Sequence, residues 1–217
     1  MTLLDFARGP ALQWSLALML AGTLWRLLSV LLMVYRTDYS RPRRNDSLWG
    51  ATRTVFSRMW PHREFFAATR YQMVMAYAFH IGLAITVFAF VPHIQFIKGL
   101  LGVSWAGLPN NIVILAGAVT LAALLALLVR RLGTPVLRLI SNWDDYFSWF
   151  VTAAPVLTGM MAFSHLGPRY ETMLAVHLLS VALLFAWFPF GKLFHAVLFV
   201  PSRAVIGAAF ERKGVRA

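Results

Sequence analysis

Apolar and polar positions divide the chain into five long hydrophobic runs, at about 10–34, 72–97, 111–131, 145–164 and 172–199. A helix needs ~20 mostly apolar residues to cross a ~30 Å hydrocarbon core, and each run is of that order. The pattern predicts an all-α integral membrane bundle of five transmembrane helices, forming one membrane domain over 1–217 with no room for a separate soluble domain. Residues Met1 to Pro10 carry Asp5 and Arg8, and the apolar run behind them is too long for the core of a signal peptide. That run is expected to be the first span. The one long polar stretch is 35–71. Within it Trp49, Phe56, Met59, Trp60, Phe65 and Phe66 interleave with Arg53, Arg58, Arg63 and Arg70. Such a stretch suits a membrane interface, and it suits a docking surface for a cytoplasmic subunit equally well.

Composition strengthens the membrane reading. The 217 residues are 59% hydrophobic and 13% charged, about half the ~25% charged residues of a soluble domain. The net charge of +12 would by itself suggest nucleic acid, but its distribution argues against that. Eight arginines fall between Arg36 and Arg70. Arg130, Arg131 and Arg138 follow the third span, and Lys192, Arg203, Arg212, Lys213 and Arg216 lie at the C-terminal end. The opposite side holds only Arg8, Lys98 and Arg169, and Arg26 alone lies within a span. Basic loops stay cytoplasmic, which places the N-terminus outside and the C-terminus in the cytoplasm, an odd number of crossings, in a cell's inner (cytoplasmic) membrane. With no cysteine, this chain cannot supply a disulfide, a Cys-ligated Fe–S cluster or a covalent c-type haem attachment. Cluster chemistry would have to come from a partner.

Ionisable side chains inside a bilayer are costly and mark function by default, which singles out the histidines. His177 and His195 are 18 residues apart in the fifth run. On a continuous helix that is five turns, so both rings would face one side about 27 Å apart. Two imidazoles so placed suit two stacked b-type haems, each taking one axial ligand from this helix. The second run, antiparallel to the fifth, offers His80 near its cytoplasmic end and His93 about 20 Å further along. Depth pairs His80 with His195 on the inner side and His93 with His177 on the outer side. Azimuth is less favourable, since 13 residues turn His93 about 140° away from His80 on an ideal helix. Pro92 could kink the helix and re-aim it, and His165 at the outer end of the fourth run is the rival ligand. Ordinary bundle histidines bonded to hydroxyls or carbonyls are the competing account, and for His62, in the polar stretch, a solvated residue is expected. Gly82, two residues after His80, either lets a flat macrocycle approach the backbone or packs one helix on another. Arg26 either meets the propionates of the inner haem or pairs with Asp144 or Asp145.

At "FHIG" (79–82), "HLLSVALLFAWFPFGKLFH" (177–195) with Pro201 beyond it, and "LWRLL" around Arg26, the chain resembles the cytochrome b membrane subunit of respiratory nitrate reductases, the NarI-like gamma subunit. That resemblance spans nearly the whole chain. It implies five helices, an external N-terminus, a haem-binding histidine pair on the fifth helix, and a ligand in the "H-I-G" motif. In the nitrate reductase subunit the second ligand on the second span lies ten residues after the first, where this chain has Phe90. The stretch "FHIGLAITVFAFVPHIQFIKGLLGVSWAGLP" instead looks like the DsrM/Hmc-like branch of related cytochrome b subunits, in which the second histidine lies farther along. That branch favours His93.

The expected function is that of a dihaem b-type cytochrome subunit of a respiratory redox complex. It would pass electrons between the membrane quinone/quinol pool and a cytoplasmic Fe–S partner subunit, with terminal catalysis in partner subunits. The expected cofactors are two haems b, held by His80, His195, His93 and His177, and membrane lipid surrounds the chain. Lys98, His165, Arg169 and Glu171 are candidates for the proton and hydrogen-bond partners of a quinone, with interfacial snorkelling as their alternative. A haem-free transporter or anchoring scaffold is the other class. Transporters usually carry internal repeats or paired interrupted helices, neither of which is evident in the sequence, and a haem-free scaffold leaves His177 and His195 without a purpose.

Overall fold

A computed structural model describes residues 1–33 and 39–215. The arginines at 36 and 216, both counted among the cytoplasmic charges, lie outside the described residues. Among those described there are helices and no strand. Helix α1 runs over Leu3–Leu31 with a π-helical turn at Ala7–Ala11. It is followed by α2 (Ser47–Ser57), α3 (Arg63–Phe88), α4 (Val91–Leu101), α5 (Asn110–Gly133), α6 (Pro135–Leu139), α7 (Trp143–Phe163), α8 (Tyr170–Trp187) and α9 (His195–Arg212), the last preceded by a 3-10 turn at Lys192–Phe194. Six described segments are long and apolar enough to cross a membrane: α1, α3, α5, α7, α8 and Lys192–Arg212. The chain is thus an all-helical, multi-pass membrane protein. Its outward side chains agree, with Leu115, Leu125 and Val129 on α5 more than half exposed, as a lipid-facing surface requires.

Two of the expected helices are interrupted, and this corrects the run boundaries. The second run breaks after Phe88, where Phe90 is extended and a new helix starts with Pro92 in its first turn, the position that tolerates a residue without an N–H. Three of the freed carbonyls find donors. Trp105 Nε1 donates to Phe88 O at 2.6 Å, Leu108 N to Ala89 O at 2.9 Å, and His93 Nδ1 to Thr86 O at 2.9 Å. The fifth run breaks at 188–191. Here Phe190 N and Gly191 N both donate to Trp187 O at 3.0 Å, and Arg26 Nη1 donates to Pro189 O at 2.6 Å. Irregular backbone at membrane depth survives only where its polar groups are satisfied internally, and these bonds serve that need at both breaks. His177 and His195 therefore sit on two helices, α8 and α9, rather than five turns apart on one.

Small residues set the helix spacing. Thr120 and Ala116 of α5 lie against Gly82 of α3, and Gly117 of α5 lies against Met160 of α7. The helices α3, α5, α7, α8 and α1 pack in that order, forming an arc. Along it neighbours run antiparallel: Arg130 near the end of α5 bonds Gln72 near the start of α3 at 2.6 Å, and Trp187 at the end of α8 bonds Ser148 near the start of α7 at 3.0 Å. So α3 and α8 run antiparallel across the arc's interior. Helices α2 and α9 form a separate pair through Gly50 and Gly207, which leave no room for a Cβ on either side. Buried Glu211 on α9 takes Arg44 at 2.9 Å and closes that pair. Trp49, Phe56, Trp60 and Phe65 of the 35–71 stretch remain exposed.

Candidate functional site

The interior of the arc is a cavity of about 1610 Å3, larger than the ~300–1,000 Å3 of an ordinary small-molecule pocket. Arg8, His165 and Tyr170 line one end; Arg130, Arg131 and Lys192 line the other. Between them, His80, His93, His177 and His195 all face it.

These four rings form two pairs. His80 and His195 have ring centroids 6.1 Å apart with planes at 84°. His93 and His177 have centroids 6.2 Å apart with planes at 17°. A metal held between two imidazoles, at about 2.0–2.1 Å from each nitrogen, separates ring centroids by about 6 Å. Each ring also has its Nδ1 occupied. His80 donates to Ala76 O at 2.7 Å, His195 to Lys192 O at 2.7 Å and His93 to Thr86 O at 2.9 Å. A carbonyl only accepts, so Nδ1 carries the hydrogen in these three rings and Nε2 keeps its lone pair. The Thr158 hydroxyl spends its own hydrogen on Ala154 O at 2.7 Å and so accepts from His177 Nδ1 at 3.3 Å. Such partners on the far nitrogen fix a ligating ring's tautomer and aim. The break at Phe88–Phe90 supplies the turn that a straight helix could not, and brings His93 to the cavity.

Other expected residues are placed differently. Gly82 does not line the cavity: a Cβ there would collide with the Thr120 hydroxyl and lie 2.8 Å from Ala116 O, so it serves helix packing. Arg26 also stays outside the cavity lining. Its guanidinium sits 4.3 Å over the Phe194 ring and bonds Pro189 O, and neither Asp144 nor Asp145 is its partner. Asp145 instead holds Arg131 at 3.1 Å and Lys192. Of the four quinone-site candidates, His165 lines the cavity, whereas Lys98, Arg169 and Glu171 do not. The His165 ring stacks on Tyr170 at 5.4 Å rather than facing His177. Its backbone, at φ 53°, occupies the left-handed position that closes α7, with Leu166 N bonded to Met161 O at 2.9 Å, a place usually taken by glycine. His62 is exposed at the start of α3, away from the cavity.

Sequence reading missed Thr158 and Gly159, which touch His177 from α7. A Cβ on Gly159 would lie 3.0 Å from His177 Cε1. A threonine–glycine step in the middle of an apolar run was the available signal. It also missed Arg8, brought to the cavity by the π-turn; such turns are frequent at functional sites. Among the described residues no three His, Asp or Glu side chains gather as a metal-binding group. A haem with two axial imidazoles needs only two.

No protein-family model matches the chain, and no solved structure matches it. A protein of Nitratidesulfovibrio vulgaris (strain Hildenborough) is 27% identical over 219 aligned positions, covering 96% of this chain and 93% of that protein. It is described only as a protein, so the similarity carries no activity with it.

Proposed function

We propose that the chain is the dihaem b-type cytochrome membrane subunit of a respiratory redox complex, of the nitrate reductase gamma type and nearer the DsrM/Hmc-like branch. The observation that carries this reading is the pair of facing imidazole couples, about 6 Å between centroids in each, across one large apolar cavity. The residues fit the group: the rings lie about 6 Å apart in each pair, their Nδ1 atoms are anchored, and Gly159 leaves a ring's space beside His177. When bound, haem supplies one-electron transfer. The chain's part is to orient the imidazoles, exclude water through the apolar lining, and hold two sites at different depths between its two ends. Arg8, His165 and Tyr170 line the mouth near His93 and His177, where a quinone headgroup would find hydrogen-bond donors. A cytoplasmic Fe–S subunit would meet the opposite, basic end.

In this reading five helices cross the inner membrane, with the N-terminus outside. The segment Lys192–Arg212, the sixth of sufficient length, pairs with α2 on the cytoplasmic side, where the charge bias lies. A pyridine haemochrome assay on the purified chain tests the reading. Two haems b per chain are expected. A colourless chain defeats the cytochrome assignment and leaves the transporter or scaffold class, and one haem per chain defeats the dihaem count.

A further inference from the structure

The two histidine pairs differ in one respect that the proposed function does not explain. The planes of His93 and His177 lie 17° apart, whereas those of His80 and His195 lie at 84°. His195 is held from the 3-10 turn before α9. Lys192 is gripped at both its ends by α7. Its ammonium meets Asp145, whose side chain is only 8% exposed and also holds Arg131 at 3.1 Å. Its backbone N–H donates to Asp144 Oδ1 at 3.2 Å, and that same oxygen takes the Ser148 hydroxyl at 2.7 Å. Asn142 and Asp145 close a reciprocal cap at the start of α7, which fixes the two carboxylates on a rigid helix end. The Lys192 carbonyl, so anchored, receives His195 Nδ1–H at 2.7 Å. The chain of contacts runs from carboxylate to lysine to carbonyl to imidazole.

We propose that Asp145 is a positioning residue that fixes the His195 ring crosswise to His80, making the two haem sites electronically distinct. This rests on the dihaem reading above. Partners on the far nitrogen of a ligating imidazole set its orientation and tune the metal. Crossed imidazole planes leave the iron dxz and dyz orbitals of a ferric low-spin haem nearly equal in energy, which gives a single feature at large g. Near-parallel planes split those orbitals and give a rhombic spectrum. The oxidised full-length protein therefore has one signal of each kind, the large-g one belonging to the His80–His195 site.

The test is electron paramagnetic resonance of the oxidised, haem-loaded full chain, with Asp145→Asn and Asp145→Glu beside the wild type. Asp145→Asn removes the charge that holds Lys192; the large-g feature shifts toward the rhombic form and the other signal stays. Asp145→Glu keeps the charge and restores the feature in part. A merely structural carboxylate would lower thermal stability and leave both signals in place, and that result overturns the proposal. Two rhombic signals in the wild type overturn it as well, with the dihaem reading intact, whereas a haem-free wild type defeats the dihaem reading itself. If Asp145→Asn does not fold, Lys192→Met cuts the same link while keeping the backbone carbonyl, and an unchanged large-g feature in that variant is equally fatal.

Discussion

At the residue scale, the site depends on what stands behind each imidazole. Three rings lean on backbone carbonyls and the fourth on Thr158, so in each case Nδ1 is held by protein, and all four residues line the cavity. Gly159 completes the fourth. With its Cβ position 3.0 Å from His177 Cε1, the two methyls of a valine would push directly on the ring. Overpacking of this kind costs about 1–3 kcal/mol, and the ring is the part free to yield. Gly159→Val is expected to lose the haem of the His93–His177 site and keep the other, halving the haem content. Haemochrome titration reads the loss, and a full complement of two haems would show that the ring tolerates the methyls.

At the element scale, two broken helices do what straight ones could not. One break turns His93 toward the cavity; the other lets a short turn present His195. Arg26 clamps the second break, its guanidinium seated between Pro189 O and the Phe194 ring. Removing it leaves a carbonyl in apolar surroundings without a donor, at a cost of about 1–3 kcal/mol. Arg26→Met should therefore lower the thermal unfolding temperature in detergent and leave the haem spectra in place, because Arg26 does not line the cavity. A haem spectrum altered at unchanged stability would contradict this. The apolar runs were legible in the sequence because lipid demands them over a fixed length. The breaks were not, because they depend on distant donors: Trp105 and Leu108 for one, Arg26 for the other. Pro92 pointed to the first break, while Pro189 and Gly191 passed as part of an apolar run. The Arg26 contact was hidden for the same reason, since an isolated cation in a span suggests an anion and a carbonyl at a break leaves no mark of its own in the chain.

At the scale of the whole molecule, antiparallel packing along the arc decides which histidines can meet. With α3 and α8 opposed across the cavity, an early residue of one helix faces a late residue of the other. The chain beyond α3, with His93 on α4, thus returns to the start of α8 and His177, while the chain beyond α8, with His195 opening α9, reaches His80 on α3, and a crossed pairing would span the length of the cavity. That logic was available from sequence depth alone, although the azimuth of His93 was not. The decisive measurement replaces each histidine singly with alanine and records low-temperature spectra of the remaining haem. His80→Ala and His195→Ala are expected to lose one haem, the same one, and His93→Ala and His177→Ala the other. His165→Ala should keep both, since its ring stacks on Tyr170 instead of facing His177. Each ligand variant then retains about half the absorbance of the wild type, and variants that share a pair share a residual spectrum. Loss of a haem from His165→Ala with none lost from His93→Ala would transfer the ligand role to the end of α7. The turn after Phe88 would then be a packing device alone, and the depth argument would hold for only one of the two pairs.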